Sequence, residues 1–254
     1  MVNKQIGSAA EAVADIPDGA TVMMGGFGRA GQPVELIDAL LEHGAKDLVV
    51  VNNNAGNGTT GLAALIGAGQ VRKMICSFPR QKDSQIFDER YLAGDIELEV
   101  VPQGNLAERI RAAGAGVGAF FTPTGYGTML AEGKETRHID GRDYVLEYPI
   151  KADFALIKAL KSDRWGNLVY RKTARNFGPI MAAAATTAIA QVDDVVPLGE
   201  LDPEAVITPG IYVDRVLELP RNAPAADNIA ATATAGSGST AATAGSAATA
   251  GKAL

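Results

Sequence analysis

From the N-terminus to about residue 220, short apolar runs alternate with longer stretches in which apolar residues recur every three or four positions. Strands buried on both faces lose the polar alternation of half-exposed ones, so this pattern predicts a parallel sheet covered by helices. The first unit is the clearest. Residues 20–24 read as a buried strand and 25–31 as a glycine-rich loop; Pro33 opens a helix whose apolar face carries Val34, Leu36, Ile37, Leu40 and Leu41, and Gly44 closes it. Further strands are predicted at 48–51, 73–78 and 96–101. Asn105 with Glu108 three positions on then predicts a capped helix carrying Leu106, Ile110 and Ala113. Asp140-Gly141 marks a hairpin between 137–139 and 144–146. Residues 153–160 read as a buried strand, 165–167 as a turn, 168–170 as a returning strand and 178–187 as a small-residue helix, with 188–192 and 211–217 as the last strands. The expected fold class is α/β: three α/β/α layers around a mostly parallel mixed sheet.

The pattern stops near residue 220. Beyond it Ala, Thr, Gly and Ser fill almost every position, and such small side chains bury too little area to offset the entropy of ordering them. The expected division is therefore a domain at 1–220 followed by a low-complexity disordered tail or linker at 221–254.

Charge narrows the partners. With 23 Lys and Arg against 29 Asp and Glu, the chain carries a formal −6, which gives it no general attraction to nucleic acid or anionic membranes. The single Cys excludes an internal disulfide, and with 2 His no Cys/His zinc set is available, so no metal site is expected. No apolar run reaches the length of a membrane span or a signal sequence, so a cytoplasmic protein is expected.

In a parallel sheet the loops leaving the carboxyl ends of strands gather at one edge, where ligands bind. Four loops here fit that description: 25–31, 52–58, 78–82 and 102–105, each rich in Gly, Asn or Gln. The first matches the G-x-G-x-x-G of dinucleotide sites. The second strand, however, runs into Asn52-Asn53-Asn54 where such sites place an acidic residue for the ribose, which argues against NAD. Cys76 lies inside an apolar run and reads as an inert buried thiol; His43 and His138 lack partners for a triad.

The run from Asp18 to Pro33 resembles the signature of the A (alpha) subunit of family I coenzyme A transferases. The resemblance continues through Ser77-Phe78-Pro79-Arg80-Gln81, residues 102–111, 122–128 and 171–177. It is strongest to the branch that uses 3-oxoadipate in aromatic catabolism, with the succinyl-CoA:acetoacetate branch close by. It implies the fold of that family and a reaction in which a glutamate attacks succinyl-CoA and carries the CoA as a thioester to a 3-oxoacid. CoA enters as substrate, with no other cofactor. The glutamate belongs to the partner B (beta) subunit, in a Ser-Glu-Asn-Gly run that this chain lacks. Gln103 occupies the position of the side-chain amide that holds the oxyanion. Gly25, Gly26, Phe27, Gly28, Arg29, Ala30 and Gly31 are expected to let backbone amides approach the CoA thioester, and Asn53, Asn54 and Gly56 to complete the pocket. Arg80, with Lys82 as second choice, is the candidate cation for the distal carboxylate that 3-oxoadipate has and acetoacetate lacks. A non-catalytic acyl-CoA-binding module stays open as an alternative.

Overall fold

The computed structural model describes residues 2–80 and 83–219; Lys82 and the expected tail at 221–254 lie outside the described residues. In chain order the elements are β1 (Gln5–Ile6), α1 (Ala9–Val13), β2 (Thr21–Met24), α2 (Val34–His43), β3 (Leu48–Val51), α3 (Leu62–Gly67) and β4 (Val71–Cys76). There follow α4 (Gln85–Leu92), β5 (Glu97–Val100), α5 (Gln103–Gly114), β6 (Phe120–Thr122), β7 (Thr136–Ile139), β8 (Arg142–Glu147) and β9 (Ala152–Lys158). The last elements among the described residues are β10 (Lys161–Asp163), β11 (Leu168–Val169), α6 (Gly178–Ala184), β12 (Ala185–Val192), β13 (Asp194–Val196) and β14 (Arg215–Glu218).

Eight strands form the main sheet in the order β1-β14-β12-β9-β2-β3-β4-β5, and each neighbouring pair is parallel. Among the described residues, antiparallel ladders occur in two small sheets, β11-β10-β13 and β6-β8-β7. The mostly parallel sheet with flanking helices is thus present, and its mixed character resides in the small sheets.

Alternation along the strands sends side chains into two cores. Val22 and Met24 of β2, Leu48 and Val50 of β3, and Phe154 and Leu156 of β9 join Leu36, Ile37 and Leu40 of α2 and Leu62, Leu65 and Ile66 of α3. The intervening residues Met23, Val51, Ala155 and Ile157 pack on the other face with Leu106 and Ile110 of α5 and Met181 and Ala182 of α6. Chain direction explains the segregation. Steps from β2 outward to β5 carry α2, α3 and α4 on one face. The steps from β9 to β12 run the opposite way, so a right-handed crossover puts α6 on the other. The direction reverses between β2 and β9, which lie side by side at the centre of the sheet.

Several boundaries differ from expectation. Pro33 caps α2 rather than starting it. The helix after β5 begins at Gln103, so Asn105 lies inside its first turn and makes no cap; its amide instead donates to Thr124 O and to the buried Glu147. Glu108 pairs with Arg111. Leu168–Val169 pairs with β10, outside the main sheet. The helix at 178–187 ends at Ala184, and the strand expected at 211–217 starts only at Arg215, because Gly210–Tyr212 forms a 3-10 turn. The hairpin forms as expected, with Asp140 and Gly141 both at positive φ between Ile139 and Arg142.

Candidate active site

The loops after β2, β3, β4 and β5 leave the same edge of the sheet, beside the point between β2 and β9 where the strand order reverses. Side-chain amides tie them together. Asn52 donates to Met24 O at 2.6 Å, joining the end of β3 to that of β2. The backbone oxygen of Asn53 accepts from the amides of Ser77 and Phe78, at 3.2 and 3.0 Å, joining β3 to β4. Its Oδ1 accepts from Ser77 Oγ at 2.7 Å and from Gln103 Nε2 at 2.8 Å, which adds the start of α5. Asn52, Asn53 and Asn54 are all buried, and each side-chain oxygen accepts within the protein, that of Asn52 from Asn54 N at 2.9 Å.

The glycine loop is a small finger. Phe27 and Ala30 exchange backbone hydrogen bonds of 3.0 and 3.2 Å around a two-residue turn whose first central residue, Gly28, has φ +59°. At that position a hairpin turn strongly favours glycine. Asn176 holds the finger from the opposite side of the chain. Its Oδ1 accepts from Gly26 N at 3.2 Å, and its Nδ2 donates to Ala30 O at 2.9 Å. Gly31, at φ +75°, lies so close to this strap that a Cβ there would stand 2.3 Å from Ala174 O. The finger's amides are therefore unequal: Gly25 donates to Leu156, Gly26 to Asn176, and Phe27 and Ala30 to each other. Among the described residues the amides of Gly28 and Arg29, at the tip, have no acceptor.

Two clefts share Phe27 and Gln103 in their walls. One, of 380 Å³, is lined by Phe27, Asn53, Ser77, Phe78 and Gln103. The other, of 260 Å³, is lined by Phe27, Gln103, Gly104, Ala107, Asn176, Phe177 and Ile180. Phe27 is 51% exposed and Phe78 58% exposed, a large apolar area to leave in water on the rim of a site. Gln103 spends one amide hydrogen on Asn53, which leaves the second for a carbonyl oxygen in the cleft.

Of the residues expected from the sequence, the structure thus brings Phe27, Asn53 and Gln103 to the clefts, with Arg29 exposed at the finger's tip. Gly25, Gly26, Ala30 and Gly31 build the finger, and none of them lines a cleft. Asn54 and Gly56 are also elsewhere: both are buried, and Asn54 Oδ1 accepts from Gly56 N at 2.9 Å to close their own turn. Arg80 binds Asp88 of α4 at 2.8 Å and lines neither cleft. Ser77, Phe78, Asn176, Phe177 and Ile180 are cleft residues that the sequence pattern does not single out. Phe78 opens the candidate loop 78–82; the others have only membership of the runs 77–81 and 171–177 as a sequence signal, and Ile180 lacks even that.

The site's chemistry is that of a holder and polariser. Burial pushes the Cys76 thiol up to about 12, against a smaller lowering by the Phe78 amide, so it stays protonated beneath the cleft. Among the described residues lining the two clefts there is no Asp, Glu, His, Lys or Cys, and their one hydroxyl, that of Ser77, is donated to Asn53. The walls can bind an acyl group, and the free N–H of Gln103 is of the kind that stabilises an oxyanion.

The family model described as Coenzyme A transferase matches residues 6–219. This chain belongs to that family. It is 70% identical over 230 residues to the A subunit of the 3-oxoadipate CoA-transferase of Pseudomonas putida, covering 91% of this chain and 99% of that one. It is 47% identical over 215 residues to the A subunit of the succinyl-CoA:3-ketoacid coenzyme A transferase of Helicobacter pylori strain J99, covering 85% and 92%. Among solved structures, the acyl-CoA transferase of E. coli O157:H7 in a thioester complex with CoA matches with a TM-score of 0.76 at 24% identity. The match covers 87% of this chain and 48% of that one, so this chain spans about half of that protein's length. That likeness is one of fold.

Proposed function

We propose that this chain is the A subunit of a heteromeric 3-oxoadipate CoA-transferase, which moves CoA from succinyl-CoA to 3-oxoadipate through a glutamyl-CoA thioester on a partner B subunit. The observation that carries the reading is a cleft with a carboxamide donor and apolar walls but no activated nucleophile among its described lining residues. The 70% identity to the P. putida protein supports the choice of 3-oxoadipate over acetoacetate, the second reading. Residues 1–220 are the transferase domain in this proposal, and the reaction is cytoplasmic.

The partner's glutamate carboxylate adds to the thioester carbonyl, and CoA thiolate leaves as the acyl-glutamyl anhydride forms. The thiolate then adds to the glutamyl carbonyl, releasing succinate and leaving a glutamyl thioester. 3-Oxoadipate repeats the two exchanges in reverse. Each addition places negative charge on a carbonyl oxygen, and the second N–H of Gln103 is the donor for it. Phe27 and Phe78 keep water from the anhydride, while Arg29 and the tip amides of the finger contribute donors to the CoA moiety.

The test is co-expression with a B subunit, followed by assay of succinyl-CoA with 3-oxoadipate and with acetoacetate. The expected result is preferred transfer to 3-oxoadipate, with Gln103→Ala lowering kcat about 100-fold. Preference for acetoacetate would establish the second reading. A co-purified pair that binds CoA thioesters without transferring them would replace the enzyme with a binding module.

A further inference from the structure

Gln103 is a flexible side chain asked to point one N–H at a position set by another subunit's chemistry. Two neighbouring side chains fix it. Its Nε2 donates to Asn53 Oδ1 at 2.8 Å, and the same oxygen accepts from Ser77 Oγ at 2.7 Å. An amide oxygen has two acceptor sites, so both are filled. Asn53 is itself immobile: it is buried, its main-chain oxygen accepts from the amides of Ser77 and Phe78, and the carboxamide is held at its far end by the Ser77 hydroxyl.

We infer that Ser77 is a positioning residue for the transfer reaction, acting through the Asn53 carboxamide to hold the oxyanion donor of Gln103 in place. A carboxamide is planar, so anchoring one Nε2 hydrogen on Asn53 fixes the direction of the other. Without the Ser77 hydroxyl, Asn53 Oδ1 loses one of its two donors and the Asn53 side chain gains torsional freedom, which passes to Gln103. Rotation of the Gln103 amide by half a turn would present its oxygen, an acceptor, where the oxyanion forms. Ser77 is the first residue after β4, and its backbone amide is bonded to Asn53 O at 3.2 Å, so its hydroxyl is presented from main chain already tied to the residue it supports.

The inference rests on the role proposed above for Gln103, and the test separates the two. In the purified complex with the B subunit, Ser77→Ala is expected to lower kcat about tenfold, leave KM for succinyl-CoA within about twofold and lower the unfolding midpoint by no more than about 3 °C, the cost of one hydrogen bond. Ser77→Thr, which keeps the hydroxyl, is expected to restore most of the rate. The deciding measurement is the double variant. A group that acts only through Gln103 has nothing left to position once that amide is gone, so Ser77→Ala in the Gln103→Ala background is expected to cost no further rate. An active wild-type complex in which Ser77→Ala has no effect, or lowers the rate equally with and without Gln103, overturns the positioning role alone. A wild-type complex with no transfer activity overturns the proposed function, and this inference with it.

Discussion

Gly28 and Gly31 both adopt positive φ within one loop, at +59° and +75°, yet their surroundings are opposite. A Cβ at Gly28 meets nothing within 4 Å; one at Gly31 would stand 2.3 Å from Ala174 O and 3.0 Å from Asn176 Nδ2. Replacing each by Ala therefore separates backbone strain from collision. A left-handed conformation costs an L-residue about 1–2 kcal/mol, offset in part by the lower unfolded-chain entropy of Ala, so Gly28→Ala is expected to lose about 1 kcal/mol. Gly31→Ala carries the same strain and must also push a main-chain carbonyl by roughly 1 Å, the kind of overpacking that costs about 1–3 kcal/mol; about 3 kcal/mol in all is expected. For a folded domain of this size these losses lower the thermal midpoint by about 3 °C and about 9 °C. Scanning calorimetry or denaturation followed by circular dichroism reads the difference directly. Equal midpoints for the two variants would refute the claim that the strap at 172–176 lies against the finger as described.

Three further outcomes follow from the same geometry. Cys76 in the native protein is expected to resist thiolate-directed reagents at pH 8, since a thiol with a pKa of about 12 is ionised in about one molecule in ten thousand; labelling at the rate of a free thiol would refute its burial. Asp15 is held below the usual carboxylate range, first by its hydrogen bond from Arg215. Its contribution is thus fully present above the unfolded-state value near 4 and is lost as pH falls through the lower folded value. Because Asp15 is half exposed, that contribution is expected to be about 1 kcal/mol or less; urea titrations from pH 5 to 2 should show Asp15→Asn losing less stability than the wild type, and a parallel loss would refute the pairing. Arg80→Ala is expected to leave the ratio of 3-oxoadipate to acetoacetate transfer unchanged, because Arg80 is engaged by Asp88 outside both clefts; selective loss of 3-oxoadipate transfer would place it in the acceptor site after all.

Much of the architecture was legible because long-range burial leaves a local mark. β2, α2 and β3 stand where their apolar periods place them, since each is covered by neighbours on the faces that the period marks. The helices α1, α3 and α4 went unread for different reasons. α3 has six residues and no side-chain cap, and α4 buries only Phe87, so neither carries a helical stripe strong enough to detect. α1 did carry a signal: Ser8 accepts from Glu11 N, and Glu11 reaches back to Gly7 N, a variant of the Ser-x-x-Glu box. Asn105 shows the converse error, a cap signature spent on a tertiary contact with Thr124 and Glu147. In the site, Gln103 and Phe27 were accessible from their motifs, whereas Asn176 was not. Its role depends on a contact with residues 146 and 150 positions earlier, which no local window contains.

That separation has a consequence during synthesis. The finger emerges early, but its latch is 146 residues behind. At about 5–20 residues per second the ribosome needs about 7 to 30 s to deliver Asn176 after Ala30. During that interval β2, β3, β4 and β5 have their residues available, while the loop that carries Phe27 lacks its anchor. The binding edge is therefore the last part of the early half to be completed, and a nascent chain stalled before residue 176 would have every residue of the finger and none of its latch.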